Sequence, residues 1–422
     1  MKFKLLSLAL IGLTSLVLAQ EKGIKFETKL SWQQIKAKAA AENKSIFMDV
    51  FATWCESCKK MDNDTYSSEK VGAFINERFI SVKVQADQIK GDNEFIKAWY
   101  SDAAKIVKDY HITGFPTLLF FSPNGKLVNR SVGLIWEDDL IKNARESLDP
   151  SSQVYTKFQK FWDGKLKIYE KPKLAILAKS IGEYQIAQSI ADDYINNYLF
   201  KLKEEELFEK DNLIFLSRFM GSSKSRVFNL FKQKSEKINT VMGYYGAEYA
   251  IMNFIDNKHV PKENTWAAVM PDWNILERKL TKMYGSLGTE VVNSQRATYY
   301  LNTKNWSQYA IWYEKYLEKA YKHPRYDING MTWPLFQYVD DPKVLLFACD
   351  TVMKYAMEEW YQNEPRIWDT YANLLYKIGR KEQAIEWEEK AVKYSNYDKE
   401  IMVNLDKMKR NEKTWIVTIN NF

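Results

Sequence analysis

Two cysteines three positions apart, Cys55 and Cys58, follow closely on an apolar run from Ser45 to Phe51. The run reads as a buried strand that ends, turns and starts a helix carrying both thiols on its first turn. Two thiols separated by two residues can close into a small disulfide and open again. The first thiolate attacks a partner disulfide and the second reaches back to release it. A static bridge is the second reading, but a loop this short removes little entropy from the unfolded chain. A chain of 422 residues also has length enough for large cores without a staple. The pair is therefore read first as redox-active and second as structural. A closed zinc site needs four ligands, and His111, His259 and His323 are not spaced with the cysteines, so no metal or cofactor is expected.

The compartment bears on that choice. Lys2 and Lys4 precede an apolar run from Leu5 to Leu18, followed by Ala19-Gln20. This is the pattern of a secretory leader, residues 1–19, and the run is shorter than the ~20 residues a spanning helix needs. No later run is long enough to span, so no membrane segment is expected once the leader is removed. Without Lys2 and Lys4 the formal charge falls from +7 to +5, which is mild, spread along the chain, and no argument for nucleic acid. An oxidising, exported location follows: the periplasm, with secretion as the alternative.

Helix and strand patterns alternate up to residue 148. Trp32 to Glu42 reads as a helix with Ser31 as its cap, Ser45 to Phe51 as a strand, and Glu69 to Arg78 as a second helix. Phe79 to Gln85 alternates as a strand with Ile80, Val82 and Val84 on one face, and Asn93 to Tyr110 is helical. Thr117 to Phe121 and Leu127 to Val132 form a hairpin across Pro123-Asn124-Gly125. Glu137 to Leu148 closes as a helix, and Asp149-Pro150 reads as a boundary. This is an α/β layout with a mixed central sheet.

Residues 25–148 resemble the thioredoxin fold, and in particular exported thioredoxin-like domains of bacterial thiol pathways. The resemblance is carried by Trp54-Cys55-Glu56-Ser57-Cys58-Lys59, by Asp49 six residues before Cys55, and by Lys83 within Val82-Lys83-Val84. Tyr110 to Thr117 with Phe115-Pro116, and Gly133 after the hairpin, complete it. The resemblance implies a thiol-disulfide oxidoreductase acting on protein disulfides and recharged by an upstream thiol donor. It makes Cys55 an exposed nucleophile at a helix N-terminus and Cys58 the resolving thiol. It makes Asp49 the buried proton acceptor, with Lys83 beside it. Pro116 is implied to be cis, with Trp54, Phe115, Pro116 and Gly133 along the substrate surface. Two departures stand out: Glu56-Ser57 between the cysteines, and an extra stretch near Gln88 to Lys105. Glu56 opposes a thiolate at Cys55 while Lys59 and Lys60 favour it, so a dominant Glu56 would make the protein a reductant or disulfide exchanger.

Residues 150–413 read as helical. Trp368, Ala372, Leu375, Gly379, Ala384 and Ala391 follow the spacing of a tetratricopeptide repeat at 365–394, where small residues let two helices approach. Ala175, Gly182 and Ala187, and Tyr299 to Leu317 around Ala310, repeat part of it. Such arrays offer concave faces to peptides or proteins. The alternative reading of the whole chain follows from this: a helical scaffold in which the Cys55–Cys58 bridge is inert. Cys349, in an apolar helix, reads as a buried thiol.

Overall fold

The computed structural model describes residues 22–261 and 270–416. The leader at 1–19 lies outside the described residues. The chain divides into two compact units between Leu202 and Lys203.

The first unit is built on a five-stranded sheet in the order β1-β3-β2-β4-β5. The strands are β1 (Phe26–Glu27), β2 (Ser45–Phe51), β3 (Phe79–Gln85), β4 (Thr117–Phe121) and β5 (Leu127–Val132). β3 runs parallel to both β1 and β2, while β4 is antiparallel to β2 and β5. Parallel neighbours need crossovers, and helices α1 (Trp32–Glu42) and α3 (Glu69–Arg78) supply them, with α2 (Glu56–Lys60) between. Ser31 accepts from Gln34 N–H and the Gln34 side chain answers to Ser31 N–H, fixing the start of α1. Ser68 caps α3, and Asn93 caps α4 (Glu94–Asp109).

Alternation along the strands sends side chains to two cores. Ile46, Met48 and Val50 of β2 pack with Ile80, Val82, Val84, Leu119 and Phe121 beneath α1 and α4. Phe47, Leu118 and Phe120 face the other way, against Val71 and Ile75 of α3 and Leu140 and Ala144 of α5 (Glu137–Leu148). Both faces of the sheet are covered, so β2 and β4 are buried apolar runs.

This unit continues past Pro150. Helix α6 (Val154–Trp162) begins where Val154 N–H donates to Asn129 Oδ1 of β5 at 2.8 Å. Helices α7 (Lys171–Ser180) and α8 (Tyr184–Asn197) follow, turning at Gly182 with φ +85°. The regular elements among the described residues of the second unit are all helices. Within it, Pro365–Lys377 and Lys381–Tyr394 pack together across a turn at Gly379, φ +88°, burying Trp368, Ala372, Leu375, Ala384 and Ala391. Cys349 is fully buried, and burial pushes its thiol up to about 12. Among the described residues no helix is long and apolar enough to cross a membrane.

Candidate redox site

β2 delivers the chain to the site. After Phe51, a turn closed by Cys55 N–H to the Ala52 carbonyl at 3.1 Å leads into α2. Cys55 occupies the N-cap, and its sulfur accepts the Cys58 N–H at 3.1 Å. A disulfide joins Cys55 and Cys58, with Cα atoms 5.3 Å apart. The N-cap position is as anticipated, but the exposed sulfur is not. Cys55 is only 4% exposed and Cys58 2%. The reason is local packing: Ala52 and the Phe51 and Phe115 rings close around the bridge. Trp54, by contrast, is 67% exposed, with its ring edge-on to Phe115 at 5.9 Å.

The Phe115–Pro116 peptide bond is cis. Ser57 ties this loop to the cysteines: its hydroxyl lies 3.3 Å from Cys55 Sγ and donates to the Phe115 carbonyl at 3.4 Å. Thr117 Oγ1 donates to the Gly114 carbonyl at 2.7 Å. Gly133 N–H donates to the Pro116 carbonyl at 2.8 Å from a left-handed backbone, φ +90°, a conformation glycine adopts without strain. Pro116 is buried and Phe115 half-buried. Trp54, Phe115, Pro116 and Gly133 thus belong to one neighbourhood beside the bridge.

Asp49 is 1% exposed, on the same face of β2 as Phe51, whose ring packs against the disulfide. Neither carboxylate oxygen makes a hydrogen bond of ordinary geometry among the described residues, though the Tyr66 hydroxyl faces the carboxyl. Lys83 stands opposite it in the β2–β3 register, with Nζ 3.7 Å from Oδ2. Burial raises the Asp49 carboxyl to about 7; the Lys83 charge pulls it back only in part, and Asp62 adds to the rise. Lys83 is no solvated edge residue. It also ion-pairs with Asp62, and its ammonium lies 4.6 Å from the Phe51 ring centroid.

Glu56 and Lys59 do not oppose each other across the cysteine. They form a surface pair at 2.6 Å, with the Glu56 side chain 83% exposed. Lys60 lies over the Trp136 ring at 4.9 Å. Just before the inserted stretch, Asp87 accepts from Thr53 N–H at 3.0 Å and from the Thr53 hydroxyl. Within it, Asp92 accepts from Gln85, Ile89 N–H and Tyr100. Asp62 and Asp87 were not singled out in the sequence, and Ser57 was marked there only as a departure between the cysteines, with no role of its own. Asp62 and Asp87 gain their roles only through tertiary contact.

A family model described as a thioredoxin-like domain matches residues 32–146. The chain is 31% identical over 125 residues to the thiol:disulfide interchange protein DsbD of Campylobacter jejuni (strain RM1221), covering 29% of this chain and 20% of that protein. The chain thus spans about a fifth of the length of that curated relative. Among solved structures, a DsbH oxidoreductase aligns at 19% identity and a TM-score of 0.27, over 33% of this chain and 94% of that one. The solution structure of a putative disulphide-isomerase from Bacteroides thetaiotaomicron aligns at 28% identity and a TM-score of 0.26, over 31% and 98%. Residues 32–146 are a thioredoxin-like domain bearing a close cysteine pair.

Proposed function

We propose that the protein is an exported thiol-disulfide oxidoreductase that works on protein disulfides as a reductant or disulfide exchanger. The observation that carries this reading is the Cys55–Cys58 bridge at the start of α2, linked through Ser57 to the carbonyl of Phe115 in the cis-proline loop. An upstream dithiol donor first passes two electrons to the bridge, leaving two thiols. The Cys55 thiolate, favoured by the Cys58 N–H and the helix dipole, attacks a client disulfide and expels one client thiolate. Cys58 then loses its proton to Asp49 and attacks the Cys55 sulfur of the mixed disulfide. The second client thiolate leaves and the bridge is restored. An Asp49 carboxyl at about 7 is matched to that proton transfer near neutrality. Lys83 tunes Asp49, while Trp54, Phe115, Pro116 and Gly133 receive an extended client segment.

The electron-donating direction is supported by the cover over the oxidised pair, because a buried bridge is favoured over the dithiol and so lowers the potential. Equilibration with glutathione tests it: a potential near or below about −200 mV is expected, and one as oxidising as about −120 mV overturns the direction. Insulin reduction with dithiothreitol tests the activity. The wild type accelerates precipitation, Cys55→Ser does not, and Cys58→Ala accumulates mixed disulfides that mass spectrometry can name. No rate above background would leave the static bridge on a helical scaffold as the better account. The reading takes the protein as exported, with the periplasm as its compartment and secretion as the alternative. The helical region, tetratricopeptide-like at 365–394, serves to hold a client or dock the donor.

A further inference from the structure

Arg130 lies on β5, opposite Leu119 of β4, with a side chain 1% exposed. Its guanidinium reaches the end of α4. One nitrogen donates to the Tyr110 carbonyl at 2.9 Å, the other to the His111 carbonyl at 3.3 Å. A cation on the last carbonyls of a helix meets the negative end of its dipole. His111 then turns through a left-handed conformation, φ +46°, and five residues later the chain makes the cis Phe115–Pro116 bond. Arg130 therefore anchors the entry to the cis-proline loop, while Ser57, Thr117 and Gly133 anchor its exit.

A buried guanidinium needs a counter-ion. It comes from the helices that follow the sheet: Glu183, at the start of α8, lies 3.4 Å from Arg130. Tyr155 of α6 donates its hydroxyl to the same carboxylate oxygen. The α7–α8 turn presses close, since a Cβ on Gly182 would stand 3.4 Å from the Arg130 guanidinium nitrogen, and only a glycine takes φ +85° there without strain. Tyr155 of α6 and Gly182 and Glu183 of the α7–α8 turn thus converge on one buried charge.

We propose that Glu183 and Tyr155 are positioning residues for the cis-proline loop, acting through Arg130, so that helices α6–α8 hold the client-binding edge of the redox site in place. The consequence for catalysis rests on the function proposed above; the consequence for the loop does not. The full chain carrying Glu183→Gln or Tyr155→Phe is compared with wild type using a fluorescent disulfide-linked peptide as substrate. KM rises about fivefold for Glu183→Gln, the loss of roughly one hydrogen bond's worth of client binding, while kcat changes by less than about twofold. Backbone amides of residues 112–117 exchange faster in both variants. The double variant Arg130→Met with Glu183→Gln removes the buried charge with its partner. It recovers thermal stability relative to Glu183→Gln but keeps the raised KM and fast exchange, because Tyr110 and His111 have now lost their donor.

Unchanged KM and unchanged exchange in both single variants overturn the proposal, as does a double variant that recovers all three readouts. If wild type fails to reduce the peptide, the proposed function falls and the exchange data alone decide the positioning role. Should Glu183→Gln not fold, Tyr155→Phe decides it, being a change of one hydroxyl.

Discussion

The Lys83 ammonium lies 3.7 Å from the buried carboxylate of Asp49, yet its closer ion pair is with Asp62. Asp49 therefore has its counter-charge shared, and burial prevails: its carboxyl is raised to about 7 from 3.8. A carboxyl raised in the folded state stays protonated while its unfolded counterpart ionises. Its contribution to stability is full below about pH 4 and is lost as pH rises to about 7, a fall of roughly 4 kcal/mol at most. Asp49→Asn keeps the shape and removes the titration. Urea denaturation between pH 4 and 8 should give a wild-type curve that declines across this window relative to the variant; parallel curves would contradict the assignment.

The same carboxyl sets a kinetic signature. If Asp49 takes the proton of Cys58, resolution of a mixed disulfide speeds up as pH rises through about 7. Lys83→Met removes the charge that pulls the Asp49 carboxyl down and leaves Asp62 unpaired beside it. The inflection should move to more alkaline pH, and resolution at pH 7 should slow by about tenfold, less than the roughly hundredfold or more that losing the base outright would cost. Stopped-flow release of a thiol-labelled peptide from the Cys55 mixed disulfide measures both. An inflection that stays in place in Lys83→Met would show that the lysine does not tune the base.

Glu56 carries less weight than its place between the cysteines implies. Its carboxylate is turned to solvent and held by Lys59, so the two charges largely cancel at Cys55. Glu56→Gln removes the acid and favours the thiolate, moving the potential in the oxidising direction, but by less than about 20 mV for an exposed pair. Lys59→Gln should move it the other way. A shift of more than about 60 mV in either variant would return Glu56 to the centre of the redox argument.

Local chemistry was legible and long-range contact was not. β2, β3 and α3 run between the residues that the apolar pattern marks, and Ser31 and Ser68 cap the helices they precede. These features depend on neighbours within a few positions. The thioredoxin-like resemblance made Asp49, Lys83 and Phe115-Pro116 visible, because each sits at a telling offset from the cysteines or the hairpin. The cover over Cys55 was hidden, since Phe115 is brought to it by folding. So was Asp62, an exposed-looking acid in the π-helical continuation of α2, Met61–Tyr66, whose partner sits on β3. Strand β1 was missed for another reason: Phe26–Glu27 is two residues long and half-buried, with no period to read.

Besides the ladder of β1 to β3, the segment leading into β1 makes a close contact between two glycines. The position where a Gly72 Cβ would stand is 2.2 Å from the Gly23 carbonyl oxygen, with the rest of Gly23 close behind. Gly23 itself takes φ +92° and has the Tyr66 carbonyl 2.4 Å from its own Cβ position. Asn76 then clasps the segment, donating to the Gly23 carbonyl at 3.0 Å and accepting Lys25 N–H at 2.9 Å. Gly72→Ala cannot be absorbed by a flexible side chain, because backbone meets backbone. The variant should displace residues 23–27 from α3 and cost about 1–3 kcal/mol, the range for overpacking a tight contact. Amide exchange should accelerate at Phe26 and Glu27, with the Cys55–Cys58 potential unchanged, because the bridge is carried by β2 and α2. A Gly72→Ala protein with wild-type melting and exchange would mean that β1 is held by its ladder to β3 rather than by this approach.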